Sequence, residues 1–114
     1  IQINLMANSY KFLGKALATS SETAILTAGA TETIIIKSIR VTNNTANTPT
    51  ISLDVNDNSE SATDFTILDT KSLTANNSEE LLTVPLVLEK SDILKATISS
   101  TDSIHIGISY LVIT

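Results

Sequence analysis

At 114 residues the chain has the length of one ordinary domain, enough to hide roughly two thirds of the surface that its unfolded form exposes. Seven Lys and Arg against twelve Asp and Glu give a formal net charge of -5, and the basic residues are scattered from Lys11 to Lys95, so no concentrated cationic surface exists to track a nucleic-acid backbone. Cys is absent, which removes disulfides, thiolate nucleophiles and the common zinc sites together. No run reaches the roughly 18 apolar residues of a membrane helix, and no charged and apolar leader marks a secretory signal, so the expectation is a soluble chain without a membrane partner.

The hydrophobic content is 42% but only 4% of residues are aromatic, so Ile, Leu, Val and Thr must fill the interior, which favours strands over helices. Ile1, Ile3 and Leu5 alternate with Gln2 and Asn4 in a strand-like arm. Met6-Ala7-Asn8-Ser9 reads as an ordinary translation start, which sets residues 1–5 apart as an arm whose origin the sequence leaves open, ahead of one β-sandwich domain over 6–114. A strand is predicted over Tyr10 to Ala18, with Gly14 marking a bulge or a close approach. Thr23 to Thr27 is a short strand, and Ala28-Gly29-Ala30 turns the chain into Glu32 to Asn43. There Ile34, Ile35, Ile36, Ile39 and Val41 carry the strongest β signal and predict a central strand.

After a polar loop from Asn43 to Pro49, Ile51, Leu53 and Val55 alternate with polar residues, so one face is buried and the other wet. An acidic connection over Asn56 to Thr63 leads to a strand at Phe65 to Leu68, continued as an edge by Lys71 to Leu73. Asn76-Asn77-Ser78 is predicted as a turn, with room for a single helical turn at Ser78 to Leu82. Leu81 to Leu88 is an apolar stretch that Pro85 places at an edge or a break. Ile93 to Ile98 is a strand. In the last strand Ile104, Ile106, Ile108, Tyr110 and Val112 share one side, and His105, Gly107, Ser109, Leu111 and Ile113 share the other. About eight short strands with turns every 8 to 12 residues predict an all-β, antiparallel β-sandwich of jelly-roll-like character.

Catalytic chemistry finds little to work with. His105 is the only histidine and has no partners in its strand for a triad or a metal site. Asp54, Asn56 and Asn58 imitate the first ligands of a calcium loop, but Ser59 stands where Gly is needed and Phe65 where Glu is needed, so an EF-hand is rejected. A looser calcium site would draw on Asp57, Glu60 or Asp64, with a solvated acidic loop as the plainer reading. Asn43-Asn44-Thr45 and Asn76-Asn77-Ser78 satisfy the glycosylation rule, as many tripeptides in so Asn-rich a chain do. No nucleophile motif or phosphate loop occurs, so no catalytic, cofactor or metal site is expected.

The segments Met6-Ala7-Asn8-Ser9-Tyr10-Lys11, Ser38-Ile39-Arg40-Val41-Thr42-Asn43, Leu86 to Ser100 and Ser109-Tyr110-Leu111-Val112-Ile113-Thr114 resemble small virion structural proteins of marine tailed bacteriophages. The resemblance implies a non-enzymatic β-sandwich subunit present in many copies on a particle, as head decoration or as part of a tail, collar or fibre, with other copies of itself and other virion proteins as partners. Under that implication Ile1, Ile3, Leu5, Leu111 and Ile113 form the assembly interface of a homo-oligomer. Two other readings stay open: a filament or pilus-like subunit joined by strand donation through the N-terminal arm, and a carbohydrate-binding module using loops at one end of the sandwich.

Overall fold

The period-two ordering of branched aliphatic residues becomes two antiparallel sheets in the computed structural model, which describes residues 7–114. Nine strands follow in order: β1 (Asn8–Leu17), β2 (Thr23–Thr27), β3 (Thr33–Asn43), β4 (Thr50–Asp57), β5 (Thr63–Ser72), β6 (Asn77–Glu80), β7 (Leu86–Leu88), β8 (Ile93–Ile98) and β9 (Ile104–Ile113). A five-stranded sheet runs β1-β9-β3-β6, with β7 also paired to β3, and a four-stranded sheet runs β2-β8-β4-β5. The predicted central strand is β3, which pairs along its length with β9 and is flanked on its other side by β6 and β7.

The triple Ile run would place Ile34 and Ile36 inward and then turn Ile39 and Val41 outward if the strand kept strict alternation. A bulge prevents this. The register with β9 shifts between Ile36 and Ser38, so Lys37 is the extra residue and Ile39 and Val41 return to the core. All four side chains are at most 1% exposed. Across the sandwich they meet Ile51, Leu53, Leu94 and Ile98, and β9 adds Ile104, Ile106, Ile108 and Val112. The edge strand β5 is irregular twice in its pairing with β4, and the edge strand β2 once in its pairing with β8, which roughens both rims of the smaller sheet.

Nine strands agree with the sandwich of about eight that the sequence predicts, and local expectations need correction. Asn77–Glu80 is a strand where a turn was predicted and where there was room for a single helical turn. Its polar side chains carry no apolar signal, and it is held by pairing with β3 and by the hydroxyl contact of Thr42 with Ser78 at 2.7 Å. Only Asn76, at φ 51°, keeps the turn geometry. The apolar stretch Leu81 to Leu88 breaks at Pro85 as the sequence predicts, and only Leu86–Leu88 is strand, since Pro cannot extend the ladder. Gly14 marks no bulge; it pairs with Gly107, and the Phe12 ring lies over both.

Two buried polar side chains tie the ends of the sandwich. Asn43 donates to the carbonyls of Asn47 (2.8 Å) and Thr74 (3.3 Å) and accepts from the amide and hydroxyl of Thr45. Its amide is therefore occupied and enclosed, which takes the first glycosylation tripeptide out of play in the folded chain. At the opposite end Asp92 accepts from the amides of Asn58 and Glu89, both at 2.9 Å, while its backbone carbonyl accepts from Ala28. Among the described residues no buried side-chain polar atom lacks a partner. Replacing Asp92 with Ala strands two enclosed amides and should cost about 2–3 kcal/mol in urea unfolding, whereas Asp69→Ala, at an exposed site, should stay within about 0.5 kcal/mol. Equal effects of the two would show that Asp92 does not tie these loops.

Candidate functional site

Side chains opposite one another in a sheet point the same way, so the register fixes which residues share the outer face of the larger sheet. One row reads Tyr10, Leu111, Ile35 and Val87 across β1, β9, β3 and β7. The next row places Ile113 between Asn8 and Thr33. Tyr10 is 78% exposed and Val87 51%, while Ile35, Leu111 and Ile113 are half-buried by their neighbours alone. The outward placing of Leu111 and Ile113 therefore agrees with the strand pattern, and Tyr10, Ile35 and Val87 join them only once the pairing is known. Ile1, Ile3 and Leu5 lie outside the described residues.

Toward the other end of the same face lies an open trough of about 530 Å³, lined by Phe12, Gly14, Arg40, Thr42, His105 and Gly107 among others. Its form follows from the paired glycines. A Cβ on Gly107 would stand 3.0 Å from the Phe12 ring and one on Gly14 3.3 Å, so the absence of side chains lets the ring settle over the seam of β1 and β9. Phe12 is 71% exposed and forms one wall. His105 lies exposed on this face beside Thr42 and Ala16, with no carboxylate or second imidazole among the lining residues.

Glu80 of β6 organises the flank of the trough. Its carboxylate accepts from the Ser38 hydroxyl, from the Ile39 amide at 2.8 Å and from the Leu82 amide at 3.2 Å. Burial pushes its pKa up, but those bonds and the Arg40 charge outweigh burial and hold it below the ordinary 4.5. Arg40 itself forms no ion pair within 4 Å among the described residues.

The acids favoured for a loose calcium site do not converge. Asp57 caps the 3₁₀ turn Asn58–Glu60 by accepting from the Ser59 amide and hydroxyl. Asp64 instead gathers with Glu22 and Asp54 on the outer face of the smaller sheet. The Lys95 ammonium reaches two of the three, 3.2 Å from Asp64 and 3.5 Å from Glu22. Hydrogen bonds from Asn56 and then Lys95 lower the Asp64 pKa, and the same carboxylate raises that of Lys95. With three carboxylates to one ammonium the cluster keeps a net negative charge, and its two ion pairs are exposed.

No protein-family model matches the sequence, and no curated protein does. Solved structures share the fold. A subunit of the Bacillus endospore appendages, described as disulfide-linked pili, superposes with a TM-score of 0.57 at 7% identity over 95% of this chain and 86% of that one. A chain of infectious bursal disease virus, Gx strain, gives 0.58 at 10% identity, and this chain spans about a third of its length, 93% of this chain against 32% of the viral one. The nucleoplasmin-like N-terminal domain of Drosophila FKBP39 gives 0.51 at 13% identity, covering 90% and 88%. At these identities the likeness is one of fold.

A carboxylate whose folded pKa is depressed contributes stability that is present above its ordinary value and lost as pH falls through the folded value. Glu80 is such a group, so the thermal midpoint should fall from about pH 5 downward, and Glu80→Gln should flatten that fall. Parallel acid limbs in the two proteins would show that the three bonds do not favour the ionised form.

Proposed function

We propose that this chain is a non-enzymatic structural subunit of a tailed-bacteriophage virion, present in many copies and assembling through the outer face of its larger sheet. The observation that carries this reading is the apolar row Tyr10, Leu111, Ile35 and Val87, with Ile113 beside it, on a face that no other element of the described chain covers. Apolar residues lined up across four strands have no role in the core beneath them, and contiguous exposed patches of this kind mark contact sites. The fold supports the reading in its coarser form, since a pilus subunit and a viral chain are built on it.

The edges argue for packing through the face. In β1, Lys11 and Lys15 stand opposite the inward-pointing Tyr110 and Ile106, so a strand added outside β1 would enclose two charges. Strand donation by residues 1–5 is the competing route, and it requires an acceptor groove elsewhere on the neighbour. Head decoration, tail, collar and fibre positions all fit a subunit of this size, and in each the partners are copies of itself and other virion proteins.

Tyr10→Lys combined with Val87→Lys alters two exposed side chains and should change stability by no more than about 1 kcal/mol in total. Light scattering should show the native protein associating with rising concentration and the double variant remaining monomeric. Unchanged association would remove this face from the account. Deleting residues 1–5 should leave assembly in place, whereas strand donation requires that it be lost.

A further inference from the structure

The charges along the chain are sorted by position. Between Arg40 and Lys71 there is no Lys or Arg, while Asp54, Asp57, Glu60, Asp64 and Asp69 fall in that interval. Asp64 is paired with Lys95, Asp54 stands opposite Lys95 in the register of β4 with β8, and Asp57 is used as a cap. Glu60 and Asp69 are left exposed with no side-chain hydrogen bond or ion pair among the described residues, and of the two Glu60 stands at the crest of the β4–β5 turn. The turn is tight, because Ser61 and Ala62 both take left-handed conformations at φ 59° and 55°, and the residues around Glu60 are small: Ser59, Ser61 and Ala62.

Arg40 is the complementary group. It lines the trough beside its cross-strand neighbour Glu80, which feels its charge but is engaged by Ser38, Ile39 and Leu82 and forms no ion pair with it. The two cannot meet within one chain. Arg40 lies on the larger sheet, toward the end where Asn43 and the start of β4 are joined by the loop over 44–49, and Ser99 donates to Thr50. Glu60 follows the far end of β4 on the smaller sheet, beside Asp92 and Ala28.

We infer that the trough receives the acidic β4–β5 turn of a second copy, with the Glu60 carboxylate on the Arg40 guanidinium and the small residues of the turn against Phe12. This rests on the self-assembly proposed above and adds its direction. If both contacts form within one pair, the copies close as a two-fold dimer; if only one does, they join head to tail into a ring or an open filament. Charge and size both fit. A guanidinium offers paired donors to one carboxylate, and the open trough beside the Phe12 ring admits a turn of serine and alanine.

The test uses the full chain and two charge reversals at exposed positions, R40E and E60K, with thermal melts to confirm that both fold. Each variant alone should associate at least about tenfold more weakly than the native protein in low salt, since like charges then face each other. An equimolar mixture of the two should recover association, because each trough then meets an opposite turn, and so should the R40E/E60K double variant. If the single variants associate as the native protein does, the inference falls and assembly through the apolar row still stands. A native protein that stays monomeric would overturn both. Should R40E leave association untouched but abolish binding of an oligouronate, the trough serves an acidic saccharide and the inference is overturned.

Discussion

The pairing of β3 with β9 is the constraint on which the other features depend. These two strands run side by side for ten residues, and their inner faces supply eight of the buried aliphatic side chains, Ile34, Ile36, Ile39, Val41, Ile104, Ile106, Ile108 and Val112. At about 25 cal/mol for each Å² of apolar surface removed from water, that stripe is a major favourable contribution in a chain without disulfides. The bulge at Lys37 is what lets both halves of β3 serve it. Without that extra residue one pair of branched side chains would face solvent whenever the other faced the core.

The same register dictates what remains outside. Once Ile34 and Val112 point inward, Ile35 and Leu111 must point outward, and the flanking strands place Tyr10 and Val87 at the ends of the same row. A second consequence appears further along, where Gly14 and Gly107 fall opposite each other and the face sinks into a trough beside Arg40. One sheet face therefore presents an apolar end and a polar, cationic end. The rims of the molecule are treated differently: inward-register lysines on β1 and irregular pairing along β2 and β5 discourage the addition of further strands. Surfaces suited to packing are on the face, and the β1, β2 and β5 edges are guarded.

Much of the fold could be read from the residues, and the reasons are local. Alternation in β4, β8 and β9 is strict, so their boundaries and buried sides follow directly from period two. The bulge in β3 is not read from the residues; it emerges only from the register with β9. β6 was not legible, because Ser78, Glu79 and Glu80 owe their strand conformation to partners on β3 some 36 to 42 positions earlier. The outward position of Leu111 and Ile113 was legible for the same reason that the core was. Their company was not: which residues of β1, β3 and β7 stand beside Leu111 is a matter of register between strands distant in sequence. The acidic loop shows the converse, a pattern that imitates a calcium site until the structure gives its members separate tasks as cap, ion-pair partner and exposed crest.

The central claim is that the outer face of the larger sheet is covered when copies assemble. Hydroxyl-radical footprinting, read by mass spectrometry on the assembled and the dissociated protein, tests it side chain by side chain. The account predicts strong protection of Tyr10, Phe12 and Val87 on assembly, with Phe65 and Ile67 on the edge of the smaller sheet labelled equally in both states. Protection confined to Phe65 and Ile67, with Tyr10 and Val87 oxidised as readily in the assembly as in the free chain, would contradict it.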